Sequence, residues 1–248
     1  MPAAPHPFDD DARLVERVSP TVGAPVLLVP VGSTEQHGPH LPLDTDSAVA
    51  TAVAEGLATR LRATGVDAVV APGLSYGSSG EHQDFPGTLS IGTPALQLVL
   101  VELARSATTW APRVVFVNGH GGNLDALTSA VALLRSEGRD VAWVPCAAAD
   151  GATHDVHAGF DETSLLARLR PDSVRLDRAE AGVTTAIGDL LPRLRADGVR
   201  AVAPNGILGD PTGATPEAGA ELLAAMIEAA WRRLDGAPTG GAREAGRG

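Results

Sequence analysis

Four polar, glycine-rich segments hold the residues whose types and spacing could do chemistry. The first runs Gly32-Ser33-Thr34-Glu35-Gln36-His37-Gly38-Pro39-His40-Leu41-Pro42-Leu43-Asp44-Thr45-Asp46. Glu35 and His37 stand two apart, so in extended backbone both side chains leave the chain on the same side. Carboxylate with imidazole is a donor set for zinc, manganese or iron. Asp46 lies near the start of a helical pattern, where a loop can fold it back beside them. The plainer alternative is a solvated turn in which Asp44 or Asp46 caps that helix. His40 is expected behind the site or facing solvent.

In the second segment, Asn118-Gly119-His120-Gly121-Gly122-Asn123, glycines on both sides of a histidine let backbone approach a ligand closely. It is not a dinucleotide fingerprint, because Leu124 fills the third-glycine position. Its alternative is a tight turn with Asn123 as N-cap. The third segment, His154 to Ser164, offers the imidazoles His154 and His157 with Glu162, while Asp155 or Asp161 could serve only as helix caps. The fourth, Tyr76 to Thr88, reads as a loop beside a ligand.

These segments need a frame to bring them together. Apolar runs at Pro25 to Val31, Asp67 to Ala71, Arg113 to Val117, Asp140 to Val144 and Val199 to Ala203 are Val-rich and continuous, as expected of parallel strands covered on both faces. Helical periodicity lies between them: Val49, Val53, Leu57 and Leu61; Leu96, Leu100 and Leu103; Leu124, Leu127, Val131 and Leu134. A short helix is expected over Ser164 to Leu169. Thr93-Pro94 and Thr215-Pro216 read as N-cap and N1 proline, and Gly65 and Gly138 as helix-ending glycines. The alternation predicts an α/β layered fold with a central, mainly parallel sheet flanked by helices. In such sheets ligands bind beyond the carboxyl ends of the strands, which is where three of the segments fall.

Composition narrows the function. The 248 residues suffice for one domain, expected over 13–235 with flexible tails at 1–12 and 236–248. A net charge of -11 predicts no nucleic-acid partner and no anionic membrane. All 19 basic residues are Arg, so no P-loop lysine and no Schiff base can form. The single cysteine, Cys146, makes no intrachain disulfide; it fits a reducing compartment and a buried, inert thiol. With no signal-peptide pattern at the acidic start, a cytoplasmic location is expected.

Together the motifs resemble the creatininase family of metal-dependent amidohydrolases: E-Q-H-G-P-H-L-P-L-x-T-D at Glu35 to Asp46, G-E-H-x-x-F-P-G-T at Gly80 to Thr88, N-G-H-G-G-N at Asn118 to Asn123, and H-A-G-x-x-E-T-S at His157 to Ser164. The resemblance implies a two-metal centre, with Zn, Mn or Fe, in a homohexamer. Carried over, Glu35, Asp46 and His120 would hold one ion. His37, a bridging Asp46 and a further carboxylate would hold the other. Creatinine hydrolases carry Tyr and a ligating Glu where this chain has Gly121 and Gly122, and Glu162 is the candidate for the missing carboxylate. His157 or Glu81 would transfer a proton to the leaving nitrogen, while Ser79, His82 and Gly121 would line the substrate. Within the family the likeness is greatest to the mycofactocin-system branch, on Gly80 to Gly92, Arg175 to Gly182 and Pro204 to Ala214. That branch implies a short modified precursor peptide as substrate, losing a C-terminal Val-Tyr. A small cyclic amide, a formamide, or a non-catalytic assembly role are the other readings.

Overall fold

The computed structural model describes residues 12–148 and 155–235. The expected tails and His154 lie outside the described residues, apart from Ala12, whose carbonyl accepts a hydrogen bond from Val70 N at 3.0 Å.

The wholly apolar run Val26–Val31 forms β1, paired on both sides. β2 (Ala68–Val70) and β3 (Arg113–Asn118) flank it, and β4 (Val141–Pro145) pairs with β3. All four are parallel, in the order β2-β1-β3-β4. Pro30 is tolerated in this central strand because β2 has already ended beside Leu28; its carbonyl accepts Leu74 N from the loop that follows.

Side chains alternate across the sheet, which divides the core in two. Leu28, Val115, Val117, Ala142 and Val144 pack under α1 (Thr45–Ala63), α4 (Phe160–Leu169) and α6 (Pro216–Asp235). Leu27, Val29, Val31, Val114 and Phe116 pack under α2 (Thr93–Ala107) and α3 (Leu124–Ser136). The chain leaves β1 through α1 to β2, then crosses by α2 to β3 on the other side of β1. The strand order reverses between β1 and β3, so a crevice opens at their carboxyl ends.

The expected fifth strand does not form. Val199 to Val202 end α5 (Ile187–Val202), which is broken at Gly198 (φ 77, ψ 174). Leu190 and Leu194 before the break, and Val199 and Ala203 after it, bury a separate cluster with Leu208. Both pairs have the i, i+4 spacing of a helix face, which a short apolar run hides. Helix α4 starts at Phe160 rather than Ser164, since Asp155 Oδ2 accepts Phe160 N. At α2 the N-cap is Gly92 (φ 77), and Thr93 Oγ1 instead meets Ser78 Oγ at 2.9 Å. Thr215 does cap α6, accepting Ala218 N at 3.1 Å. Gly65 and Gly138 follow α1 and α3 with φ 85 and 76. Leu124 is exposed at the start of α3, while Leu127, Val131 and Leu134 are buried.

Candidate metal centre

The loops after β1 and β3 meet in that crevice, where Gly119 N donates to Val31 O at 2.9 Å. Asn123 ties three loops together. Its Oδ1 accepts Ser78 N at 2.9 Å, and its Nδ2 donates to Gly32 O at 3.0 Å and Asn118 Oδ1 at 3.2 Å. It stands at the N-cap position of α3, but its side chain makes no capping bond. Likewise Asp44 occupies the N-cap position of α1 without capping it; its carboxylate pairs with Arg170 at 2.6 Å on the surface.

Glu35, His37, Asp46 and His120 are all buried and converge. His37 Nδ1 sits 3.1 Å from the Glu35 carbonyl, which accepts a hydrogen bond from it. Its Nε2 therefore faces Asp46 Oδ1 at 3.0 Å and Glu162 Oε2 at 3.7 Å. His120 is anchored the same way: Nε2 donates to Ser78 O at 3.2 Å, and Nδ1 faces Asp46 Oδ2 at 3.2 Å and Glu35 Oε1 at 3.3 Å. Asp46 thus offers one oxygen to each imidazole, and Ser33 Oγ fixes it with a 2.6 Å hydrogen bond. Glu162 accepts Ala158 N at 2.6 Å, a contact made possible by the left-handed φ of 54 at Ala158.

Charge balance follows from this packing. Burial lowers the His37 pKa, but Asp46 and Glu162 outweigh it and raise the ring to about 10. His120 is buried too, yet Glu35 and Asp46 hold it well above its ordinary value. Burial raises Asp46, and the two imidazoles pull it well below the usual carboxylate range. Burial pushes Glu162 up to about 7, against the pull of His37. Both oxygens of Glu35 are buried without a hydrogen-bond donor. Among the described residues only imidazole nitrogens of His120, His82 and His157 approach Oε1, at 3.3 to 3.7 Å, and a metal cation would give this buried carboxylate direct ligation.

Two donor triads therefore share Asp46: Glu35–Asp46–His120 and His37–Asp46–Glu162, each with ligand atoms within 4.8 Å of one another. A third, Glu35–His37–His157, overlaps both. Buried carboxylates with imidazoles whose far nitrogens rest on backbone carbonyls fit a divalent transition metal.

The other expected site residues surround this cluster. His157 Nε2 lies 2.9 Å from the Gln36 carbonyl, so its Nδ1 points inward, 3.7 Å from Glu35 Oε1. Burial and neighbouring His37 hold it well below its ordinary pKa, and the ring is neutral. His82 is also buried, pushed down to about 3 by burial and His157, with Nε2 3.4 Å from Glu35 Oε1. It belongs to the cluster rather than to an open substrate wall. Ser79 is buried as well, its Oγ 3.4 Å from His120 Nε2. Glu81 is partly exposed, with Oε1 3.5 Å from His120 Nε2. Gly121 lies on the exposed rim with open space where a Cβ would stand. At Gly122 a Cβ would fall 2.2 Å from Ser78 O and 2.7 Å from Glu81 Oε1, so no side chain fits there. His40 is behind the site, donating to or accepting from Thr163 Oγ1 at 2.8 Å, and burial lowers it to about 4. Gly73-Leu74-Ser75-Tyr76-Gly77 spells a nucleophile elbow, but no strand-to-helix turn is present: the next α-helix begins only at Thr93.

Sequence reasoning missed Gln36 and Ser33. Gln36 Nε2 lies 2.9 Å from both His82 Nδ1 and His157 Nε2, and 3.0 Å from Gly206 O. Its place between Glu35 and His37, pointing the opposite way from both, was the available signal.

The fold and this cluster define a layered α/β protein with a candidate metal centre at the switch point of its parallel sheet. The chain belongs to the creatininase family: the family model described as creatinine amidohydrolase matches residues 15–234. It is 56% identical over 211 residues to the mycofactocin precursor peptide peptidase of Mycolicibacterium smegmatis, covering 85% of this chain and 84% of that one. With the creatinine amidohydrolase of Pseudomonas putida it shares 33% identity over 235 residues, covering 82% and 86% of the two chains. A solved manganese creatininase superposes with a TM-score of 0.68 at 27% identity, covering 86% of this chain and 90% of that one. The chain is a hydrolase of C–N bonds.

Proposed function

We propose that this chain is a metal-dependent peptidase that removes a C-terminal Val-Tyr dipeptide from the modified mycofactocin precursor peptide. The observation that carries the substrate is the 56% identity to a relative named for that peptide, against 33% to a creatinine hydrolase. Two sequence features agree with it. Of the glycines expected to leave room for a chain, Gly121 stands on an open rim while Gly119 and Gly122 are packed against Asp46 and Ser78, and no tryptophan lies between Pro145 and Ser164 to close over a small ring.

Glu35, Asp46 and His120 would hold one ion and His37, Asp46 and Glu162 would hold the other, with Zn, Mn or Fe as candidates. When bound, the ions supply Lewis acidity for amide hydrolysis. Asp46 aligns both imidazoles through one carboxylate, and Ser33 keeps it from rotating. His157 is the proton carrier: the ring is neutral, and its Nδ1 points inward, 3.7 Å from Glu35 Oε1, where it can pass a proton to the leaving nitrogen. Glu81 sits on the far side of His120, where it orients that ring. A homohexamer in the cytoplasm completes the reading. Exposed Tyr76, Leu89 and Leu98 agree with self-association, and no described helix is long and apolar enough to cross a membrane.

The test is mass spectrometry of the modified precursor after incubation with metal-loaded enzyme, with creatinine and a formamide in parallel. Loss of a Val-Tyr mass is expected. An intact peptide with turnover of either small amide replaces this reading with a small-amide hydrolase.

A further inference from the structure

A cavity of about 290 Å³ opens beside the metal centre, and Gln36 is the wall they share. One face of that side chain touches His82 and His157 at 2.9 Å each; another borders the cavity. A group in the cavity is therefore one side chain away from the proton-carrying imidazole.

The remaining walls have a clear chemistry. Leu43, Phe85, Pro39 and Pro86 are apolar, and the prolines and the Phe85 ring are stiff. Phe85 is backed by Arg200, whose guanidinium stacks 5.4 Å from the ring centroid and donates to Asp84 O at 2.8 Å, so this wall is braced from behind. Asn205 also borders the cavity, but its amide is engaged in the adjacent turn, donating to Ala181 O and accepting Ile207 N, both at 3.2 Å. Among the described residues Glu180 is the one charged member of the lining, and it is exposed at the rim. Among the described residues no arginine lines the cavity. An apolar slot of this size suits one aromatic or branched aliphatic side chain. A carboxylate at its rim favours a neutral or cationic tip and repels an anionic one.

We propose that this cavity is a specificity pocket for a bulky apolar or aromatic side chain adjoining the cleaved bond, with Glu180 excluding acidic residues from it. The proposal rests on the peptidase reading above, and it adds the residue that sets side-chain choice. A terminal carboxylate, lacking a cation among these walls, is held outside the pocket.

Glu180 touches none of the candidate metal ligands, so its replacement separates selection from chemistry. The experiment compares wild type, Glu180→Gln and Glu180→Arg on precursor peptides carrying Tyr, Leu, Lys or Asp in turn at each position adjoining the cleaved bond. At one position the wild type should reject Asp against Tyr by about tenfold or more in KM, with kcat nearly unchanged. Glu180→Gln should narrow that gap, and Glu180→Arg should close or reverse it. Identical preferences in all three proteins at every position overturn the proposal. If no peptide is cleaved by any of them, the peptidase reading has failed, and the pocket is judged by binding alone. The probes are then tyramine and 4-hydroxyphenylacetate, one ring with opposite charges, followed by ligand-observed NMR. Wild type should favour tyramine about tenfold and Glu180→Arg should favour the acid. Equal binding of both probes to both proteins overturns the pocket.

Discussion

Asp46 is the residue on which the candidate centre turns, because its two oxygens face different imidazoles at 3.0 and 3.2 Å. Asp46→Asn keeps the size but replaces one oxygen by a donor, and it should lose metal from both positions. Glu35→Ala and His120→Ala should each lose metal and activity, since each removes a donor from the same triad. Asp44→Ala should retain both, because Asp44 pairs only with Arg170 at the surface. Metal content by mass spectrometry checks the set; full occupancy in Glu35→Ala or His120→Ala contradicts the assignment. The raised His37 pKa has its own consequence. Burial lowers it, but Asp46 and Glu162 carry it from 6.5 to about 10. The metal-free protein therefore holds that proton at neutral pH. With the folded value above the unfolded one, the stabilisation is full below pH 6.5 and is lost as pH rises through about 10. A metal on the same nitrogen must displace the proton. Uptake should release protons near pH 7 and tighten as pH rises, which calorimetry in buffers of different ionisation enthalpy measures. Uptake without proton release would exclude His37 as a ligand.

The elements deliver these residues through close backbone approaches. A Cβ on Gly119 would stand 2.5 Å from the Asp46 carbonyl oxygen and 3.3 Å from Ala50 Cβ, so β3 can end against α1 only with glycine there. Gly119→Ala should cost ~1–3 kcal/mol by overpacking and displace Asp46. Gly121→Ala points into open space and should stay within ~0.5 kcal/mol. Urea midpoints for the pair check the contrast, and equal stability would contradict it. Much of this was legible beforehand. The continuous Val-rich runs named β1 to β4, because strands covered on both faces leave no polar alternation. The glycine-flanked His120 and the Glu35/His37 spacing named the cluster's core. Val199 to Ala203 misled because five apolar residues read alike as a buried strand or a helix end. Asp155 reads as a possible helix cap, but the start of α4 is placed four residues late because Asp155 reaches forward over five residues to accept Phe160 N. His82 read as substrate wall because only the folded chain shows it against Glu35. Gln36 escaped notice because an amide between two ligating residues has no titrating or metal-binding signature.

At the scale of the whole molecule, two core layers hold a rigid sheet, while the site and its neighbouring cavity sit on loops at one end. Leu98 on α2 and Leu89 and Tyr76 in the loop before it are large apolar residues left exposed on the single chain. Light scattering at micromolar concentration should give about six times the 25.3 kDa chain mass, and a stable monomer would contradict the hexamer. The strong negative charge should leave the protein unbound to nucleic acid at physiological salt.

Anomalous diffraction from crystals of the metal-loaded protein tests most directly whether two ions share the Asp46 carboxylate. Two anomalous peaks are expected, on either side of the Asp46 carboxylate, one bounded by Glu35 and His120 and the other by His37 and Glu162. A single ion held by His82 or His157 away from Asp46, or no ion at all after metal loading, would contradict it.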